Sequence, residues 1–214
     1  MNYYKKYCPN VLVASCEKEH QKGDVITLTT KYGKEHECVV HNYLGETVDG
    51  RHLYSITRLD GLNAQTYAQN KAEKLQGYSA NAKAKSDEWY EKSNEGRDFL
   101  KLAEPIKVGH HSEKRHRALI ERNWNRMSKS MDLLKKSQSY NDRIEYWERK
   151  SKEINLSMPE SLEFFKIQLD EAKEYHKGLK DGTIEREHSY SLTYAKKRVN
   201  DLTKKLKIAE KLWG

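Results

Sequence analysis

Arg51-His-Leu-Tyr-Ser-Ile-Thr-Arg-Leu-Asp60-Gly61-Leu62 is where the chain changes character. Up to Arg58 it is a short run of β-branched and aromatic residues, the composition of a strand. Asp60-Gly61 is a turn signal. Beyond it Ala64, Ala68, Ala72, Leu75, Ser79, Ala82, Ser86 and Trp89 return every three or four residues, tracing one face of a helix. The switch predicts an α+β protein. Residues 1–61 form a small β-rich unit, and residues 62–214 a long, coiled-coil-like antiparallel helical hairpin or bundle.

Toward the N-terminus, three further segments read as strands: Asn10-Val-Leu-Val-Ala-Ser15, Asp24-Val-Ile-Thr-Leu-Thr-Thr30 and Glu35-His-Glu-Cys-Val-Val-His-Asn42. Lys22-Gly23-Asp24, Lys31-Tyr32-Gly33-Lys34 and the stretch from Gly45 to Asp49-Gly50 separate the runs. Four short strands predict a small twisted sheet or partly open barrel. A unit of that size is marginal alone and leans on the helices that follow. Cys8, Cys16 and Cys38 read as reduced thiols. Zinc would draw on these with His20, His36 and His41, but Cys8 and Cys16 lack knuckle spacing, so no metal is assigned.

Toward the C-terminus, Asn94-Glu-Gly96 loosens the first helix and Pro105 ends any helix before it. The next begins near Ser112, on a seam of Ile120, Trp124, Met127, Met131, Leu134, Ser137, Tyr140, Ile144, Trp147, Ser151 and Ile154. Spacings of three and four alternate, apart from a phase slip after Met131. One rod of about 60 Å is expected. Ser157-Met-Pro-Glu160 reads as a capping box. A helix then runs on Leu162, Phe165, Leu169, Ala172 and Leu179 and stops at Gly182. The last helix carries Leu192, Ala195, Val199, Leu202, Leu206, Ala209 and Trp213. These stripes read as helix packing; no cofactor is implied.

Only 36% of residues are hydrophobic and 34% are charged, against about 45–50% and 25% in average domains. That argues against a deep-pocket enzyme built on one large core. No apolar run reaches membrane-span length. Met1-Asn2-Tyr3-Tyr4-Lys5-Lys6 lacks the apolar stretch of a secretory signal, so a cytoplasmic location is expected. The net charge of +8 lies entirely beyond residue 62, since residues 1–62 hold 8 basic and 8 acidic side chains. Lys107–Lys152 carries 13 basic against 6 acidic residues, and Ala195–Lys211 carries 7 against 2. Such concentration is the footprint of a polyanion partner.

Val108-Gly-His-His-Ser-Glu-Lys-Arg-His-Arg117 is the motif that bears on chemistry. Gly109 frees the backbone and Ser112 sits where a helix cap belongs. His110, His111, Lys114, Arg115, His116 and Arg117 then crowd a helix start that already carries partial positive charge. An incoming phosphate would relieve that repulsion, because amides, dipole and guanidinium groups converge on one anion. The phosphate-binding set expected is His110, His111, Ser112, Lys114, Arg115, His116, Arg117 and Arg122. In the bland alternative Glu113 and Glu121 pair with these bases on an ordinary surface. In the catalytic one, His111 or His116 moves a proton, or His110 and His111 join Glu113 or Glu121 around a metal. No catalytic residue is assigned. Walker, Rossmann and nucleophile-elbow patterns are absent.

Gly109-His-His-Ser-Glu-Lys-Arg-His-Arg117, with Ile120-Glu-Arg122, Met127-Ser-Lys-Ser130 and Tyr146-Trp147-Glu148, resembles a bacterial family known as "domain of unknown function 3560". The likeness spans roughly residues 65–155. The strand-rich front and Tyr190-Ser-Leu-Thr-Tyr-Ala-Lys-Lys197 resemble versions from Bacteroides-type bacteria and their mobile elements. The resemblance implies a setting of plasmids, phages and integrated elements, and supplies no catalytic residues.

The function expected is therefore nucleic-acid binding, DNA or RNA, in a mobile element. Tyr32, Tyr43 and Tyr54 are available to stack on bases, or to serve as buried cross-strand aromatics. The rival is a phage or plasmid anti-defence protein that binds and inhibits a host RNA-guided nuclease, engaging a nucleoprotein complex. A metal-dependent nuclease stands third. No membrane partner is expected, and self-association into a homo-oligomer remains open.

Overall fold

The computed structural model describes residues 1–214. They divide into two compact units: Met1–Tyr67 with Lys152–Gly214, and Ala68–Ser151.

The first unit holds five strands: β1 (Tyr3–Cys8), β2 (Val11–Cys16), β3 (Val25–Thr29), β4 (Glu35–Glu46) and β5 (His52–Arg58). They close into a barrel in the order β1-β2-β5-β4-β3, with β1 returning to β3. All pairs are antiparallel except that last one, where Tyr3 lies opposite Thr29. Four strands match the sequence reading; β1 and the closure do not. Tyr3-Tyr-Lys-Lys-Tyr-Cys8 carries no aliphatic alternation, yet its backbone pairs with β2 from Tyr3↔Ser15 onward. Asn10 makes the tight turn between them with φ 64°, a conformation asparagine tolerates better than most residues.

Period-two alternation assigns the two faces of β2. Ala14 and Cys16 enter the barrel core with Ile26, Leu28, Cys38, Val40, Tyr54 and Ile56. Val11 and Val13 face outward, where Leu212 covers them. Leu212 belongs to α6 (Ser191–Trp213), which packs on α5 (Ser161–Asp181) through Phe165, Leu169, Ala172, Leu202 and Ala209. The end of α6 is held by polar contacts as well. Ser55 Oγ donates to the Leu212 carbonyl at 2.6 Å, and Asn42 Nδ2 donates to the Gly214 carbonyl at 2.6 Å. Trp213 Nε1 donates to the Leu156 carbonyl at 3.0 Å. The barrel thus leans on these last helices. The strand-to-helix change does fall at Asp60–Leu62, but compactness groups residues 152–214 with the barrel rather than with the preceding helices. The end of α6 has Val11 and Val13 of β2 to cover, which no reading of composition along the chain reveals.

The expected capping box is replaced by other contacts. Ser157 donates its N–H and its hydroxyl to Asn155 Oδ1, and α5 starts four residues later with Glu160 at its cap. Met158 is buried, so this segment serves as packing before the helix begins. Gly182 ends α5 with φ 78°, as expected.

The second unit is a helical hairpin. α1 (Ala64–Lys92) begins in the first unit and runs through the second. Asn63 caps it, accepting the Thr66 N–H at 2.8 Å. α2 (Arg97–Lys101) is a single turn, followed by α3 (Glu113–Gln138) and α4 (Asn141–Lys152). A turn at Ser139-Tyr140 interrupts the expected continuous rod. α1 and α3 are antiparallel. Ser86 Oγ donates to the Ser130 carbonyl at 2.8 Å, and Ser79 and Ser137 each donate to the other's carbonyl at 3.0 Å.

Those contacts correct the first half of the α3 seam. Ser130 and Ser137 are buried, flanked by half-buried His116, Leu119, Asn123, Arg126 and Leu133. This inward stripe keeps the three-four spacing, but it lies beside the expected one. Ile120, Trp124 and Met131 stay exposed, Trp124 at 75%. The reason is distance. α1 presents Ala72, Ala82 and Ser86, small residues that let backbones approach until a hydroxyl reaches a carbonyl, and no indole fits that gap. Beyond Leu134 the expected stripe is kept, with Ser137 buried and Tyr140, Ile144 and Trp147 half-buried.

Candidate functional site

The hairpin places the end of α1 beside the start of α3, which assembles a cleft from distant parts of the sequence. It has a volume of about 440 Å³ and is lined by Glu95, Gly96, Phe99, Ser112, Arg115, His116, Leu119 and Arg122. Gly96 turns the chain into α2 with φ 67°. That left-handed conformation favours glycine, and a Cβ there would also push the Leu119 Cδ2 methyl, 2.8 Å away, aside. The turn aims Phe99 at His116, edge to face with ring centroids 5.0 Å apart.

Four of the eight expected phosphate ligands line this cleft: Ser112, Arg115, His116 and Arg122. The other four lie elsewhere. The His110 and His111 rings sit 4.1 Å apart just before the helix. Lys114 is exposed and outside the cleft, and Arg117 is engaged by Glu113. Ser112 does not cap α3. Its backbone N–H donates to His110 Nδ1 at 3.3 Å, and its hydroxyl lies 2.8 Å from the same nitrogen.

Glu113 supplies the anion at the helix start. Its carboxylate accepts the Gly109 N–H at 2.6 Å and the Arg117 Nε–H at 2.9 Å. The backbone bond, then the guanidinium, hold its carboxyl below the ordinary value. Part of the repulsion read from the motif is therefore relieved inside the chain, as the bland alternative expects for Glu113. Glu121 makes no such pair.

Glu95 plays the same part on the facing side. It pairs with Arg126 and, at 3.0 Å, with Arg122, and those guanidiniums lower its pKa in that order. Arg122 thus enters the cleft already neutralised. Arg115 has no carboxylate partner, is exposed, and is the free strong cation of the cleft. Glu95, Gly96, Phe99 and Leu119 were not legible as site residues. The Asn94-Glu-Gly96 turn signalled only a helix end, and pairing it with the motif needs the register of the hairpin.

No group of three His, Cys, Asp or Glu side chains gathers closely enough to hold a metal ion. Burial pushes the Cys16 thiol up to about 11 and raises Cys38, whose Sγ lies 3.3 Å from Tyr4 OH. Of the stacking tyrosines, Tyr32 and Tyr43 are exposed, whereas Tyr54 is buried in the barrel core and its hydroxyl accepts the His20 N–H at 2.9 Å.

The sequence pattern of the family described as Domain of unknown function (DUF3560) matches residues 63–186. The chain belongs to that family. The DUF3560 match begins where the barrel ends, takes in the hairpin and the whole cleft, and reaches through α5, beyond the end near residue 155 expected from the motifs. No curated protein and no solved structure matches the chain. No helix is long and apolar enough to cross a membrane.

Proposed function

We propose that this DUF3560 protein binds nucleic acid in the cytoplasm of a cell carrying its mobile element, holding phosphate at the cleft where α3 begins. The observation that carries the reading is Arg115: an exposed guanidinium without a carboxylate partner, beside an aromatic edge and a helix start. Phe99 and His116 offer ring surface to an unpaired base, while Arg115 meets the adjoining phosphate. The basic excess of Lys107–Lys152 supplies long-range attraction, and α6 adds a second basic stretch in Lys196, Lys197, Arg198, Lys204, Lys205, Lys207 and Lys211.

Binding of labelled single strands and duplexes across a salt series tests the proposal. Affinity is expected to fall with a log–log slope of about −0.7 per phosphate contact on single strands and −0.9 on duplex. Arg115→Ala with Arg117→Ala is expected to weaken binding and leave α3 helical, since alanine is the best helix former. Binding that is flat with salt turns the reading toward the protein-partner rival, inhibition of an RNA-guided nuclease. Cleavage of the strand that His116→Ala abolishes while binding persists replaces phosphate holding with catalysis.

A further inference from the structure

Helix α3 carries two adjacent stripes: one is turned to α1, and the other, with Met127 and Leu134 half-buried, is otherwise uncovered. The inward stripe of Leu119, Asn123, Arg126, Ser130, Leu133 and Ser137 meets α1. The outward one, Ile120, Trp124, Met127, Met131 and Leu134, repeats at 4, 3, 4 and 3, the a/d spacing of a coiled-coil seam. Ile120, Trp124 and Met131 are exposed at 42%, 75% and 46%. A groove of about 300 Å³ runs along this face, lined by Trp124, Met127, Ser128, Met131, Asp132 and Lys135.

We propose that this face is where a second copy of the chain docks, antiparallel, about a twofold axis beside Ser128. Charge along the stripe selects the occupant and its direction. With Trp124 and Met131 at a positions and Ile120, Met127 and Leu134 at d, the flanking e positions are Glu121, Ser128 and Lys135. The g positions are Asn123, Ser130 and Ser137, all uncharged and on the side that faces α1. Antiparallel helices set e against e. Glu121 then meets Lys135 of the second copy, Lys135 meets its Glu121, and Ser128 meets Ser128. Neither Glu121 nor Lys135 has an ion-pair partner in its own chain.

The same register sets Met127 against Met131 and Trp124 against Leu134, so apolar layers and charge pairs agree. A parallel pair would set e against g, where no charge answers Glu121 or Lys135. The antiparallel arrangement is also isologous and closes at two copies. The stripe is about 21 Å long, short for a permanent interface, so the dimer is reversible and concentration-dependent.

Sedimentation equilibrium of the full chain over a wide concentration range tests this, with circular dichroism to confirm that each variant stays folded. A monomer–dimer equilibrium is expected. Trp124→Ala should leave the helical signal unchanged and the chain monomeric, because the Trp124 ring lies on the uncovered face of α3. Glu121→Lys and Lys135→Glu each replace both pairs by like charges and should raise the dissociation constant about tenfold at low salt. Mixing these two variants should restore association, since a copy with lysine at both positions then faces a copy with glutamate at both. A chain that stays monomeric throughout overturns the proposal. So does a dimer that survives Trp124→Ala, or one for which mixing the charge variants restores nothing.

Discussion

The barrel with its covering helices and the α1–α3 hairpin solve the same problem with different residues. In the first unit the fully buried side chains include Leu28, Leu179, Leu212, Val11, Val13 and Val40. In the second the buried residues are Ala68, Ala72, Leu75, Ala82, Ser86, Ser93, Ser130 and Ser137. One unit is held by apolar area removed from water, the other by close backbone approach and reciprocal serine–carbonyl bonds. Area burial stabilises roughly in proportion to the surface hidden, whereas each hydrogen bond adds a net of only about 1 kcal/mol. A chain poor in hydrophobic residues can still make a defined hairpin in this way, because geometry rather than area specifies the register.

The contrast is sharpest at Leu212, where α6 meets β2. Leu212→Ala is expected to cost about 2–5 kcal/mol, read by denaturant unfolding of the full chain. Labelling of Cys16 and Cys38 should report the same loss, since both thiols are buried in the barrel core and react only when it opens. If labelling stays as slow as in the parent chain while stability falls, α6 is not what closes the barrel.

In the hairpin the sign of the size change reverses. Ser86→Leu adds apolar volume to a seam with no room for it and is expected to cost about 1–3 kcal/mol, whereas Ser86→Ala loses about 1 kcal/mol. Differential unfolding of the two variants would break the comparison if the leucine variant proved the more stable. Gly96→Ala should cost about 1–2 kcal/mol through its left-handed backbone, with a matching loss of affinity in the polyanion assay as Leu119 and the turn that aims Phe99 shift.

The smallest effect belongs to Glu113. Its folded pKa lies below the ordinary value of 4.5, so the stability it contributes is present above that value and lost as pH falls through the folded pKa. Glu113→Gln should therefore lower the melting temperature slightly at neutral pH and not at all in strong acid. A difference that persists in acid would mean that something other than the carboxylate charge links Glu113 to Gly109 and Arg117.

Most strands were legible because β-branched runs and glycine turns are local signals. β1 was not: Tyr3-Tyr-Lys-Lys-Tyr-Cys8 becomes a strand through its neighbours β2 and β3. The helices and the small-residue seam of α1 were legible from periodicity. Half of the cleft was legible as well, since Ser112, Arg115, His116 and Arg122 share a cationic segment. Its other wall was not, because Glu95 and Phe99 lie before Pro105 and meet the motif only when the hairpin closes. Glu95 pairs with Arg122 and Arg126, which leaves Arg115 as the guanidinium lining the cleft without a carboxylate partner.

Local pattern by itself determined where strands turn to helices, which face of α1 is small, and that the positive charge lies beyond residue 62. Only the tertiary structure decided which of two adjacent stripes of α3 turns inward. Periodicity sets the angles between side chains along a helix but says nothing about what stands opposite. Against the alanines and serines of α1, Ser130 and Ser137 can approach closely enough to hydrogen-bond, and Trp124 and Met131 cannot. The most hydrophobic stripe of the helix is left facing outward for that reason.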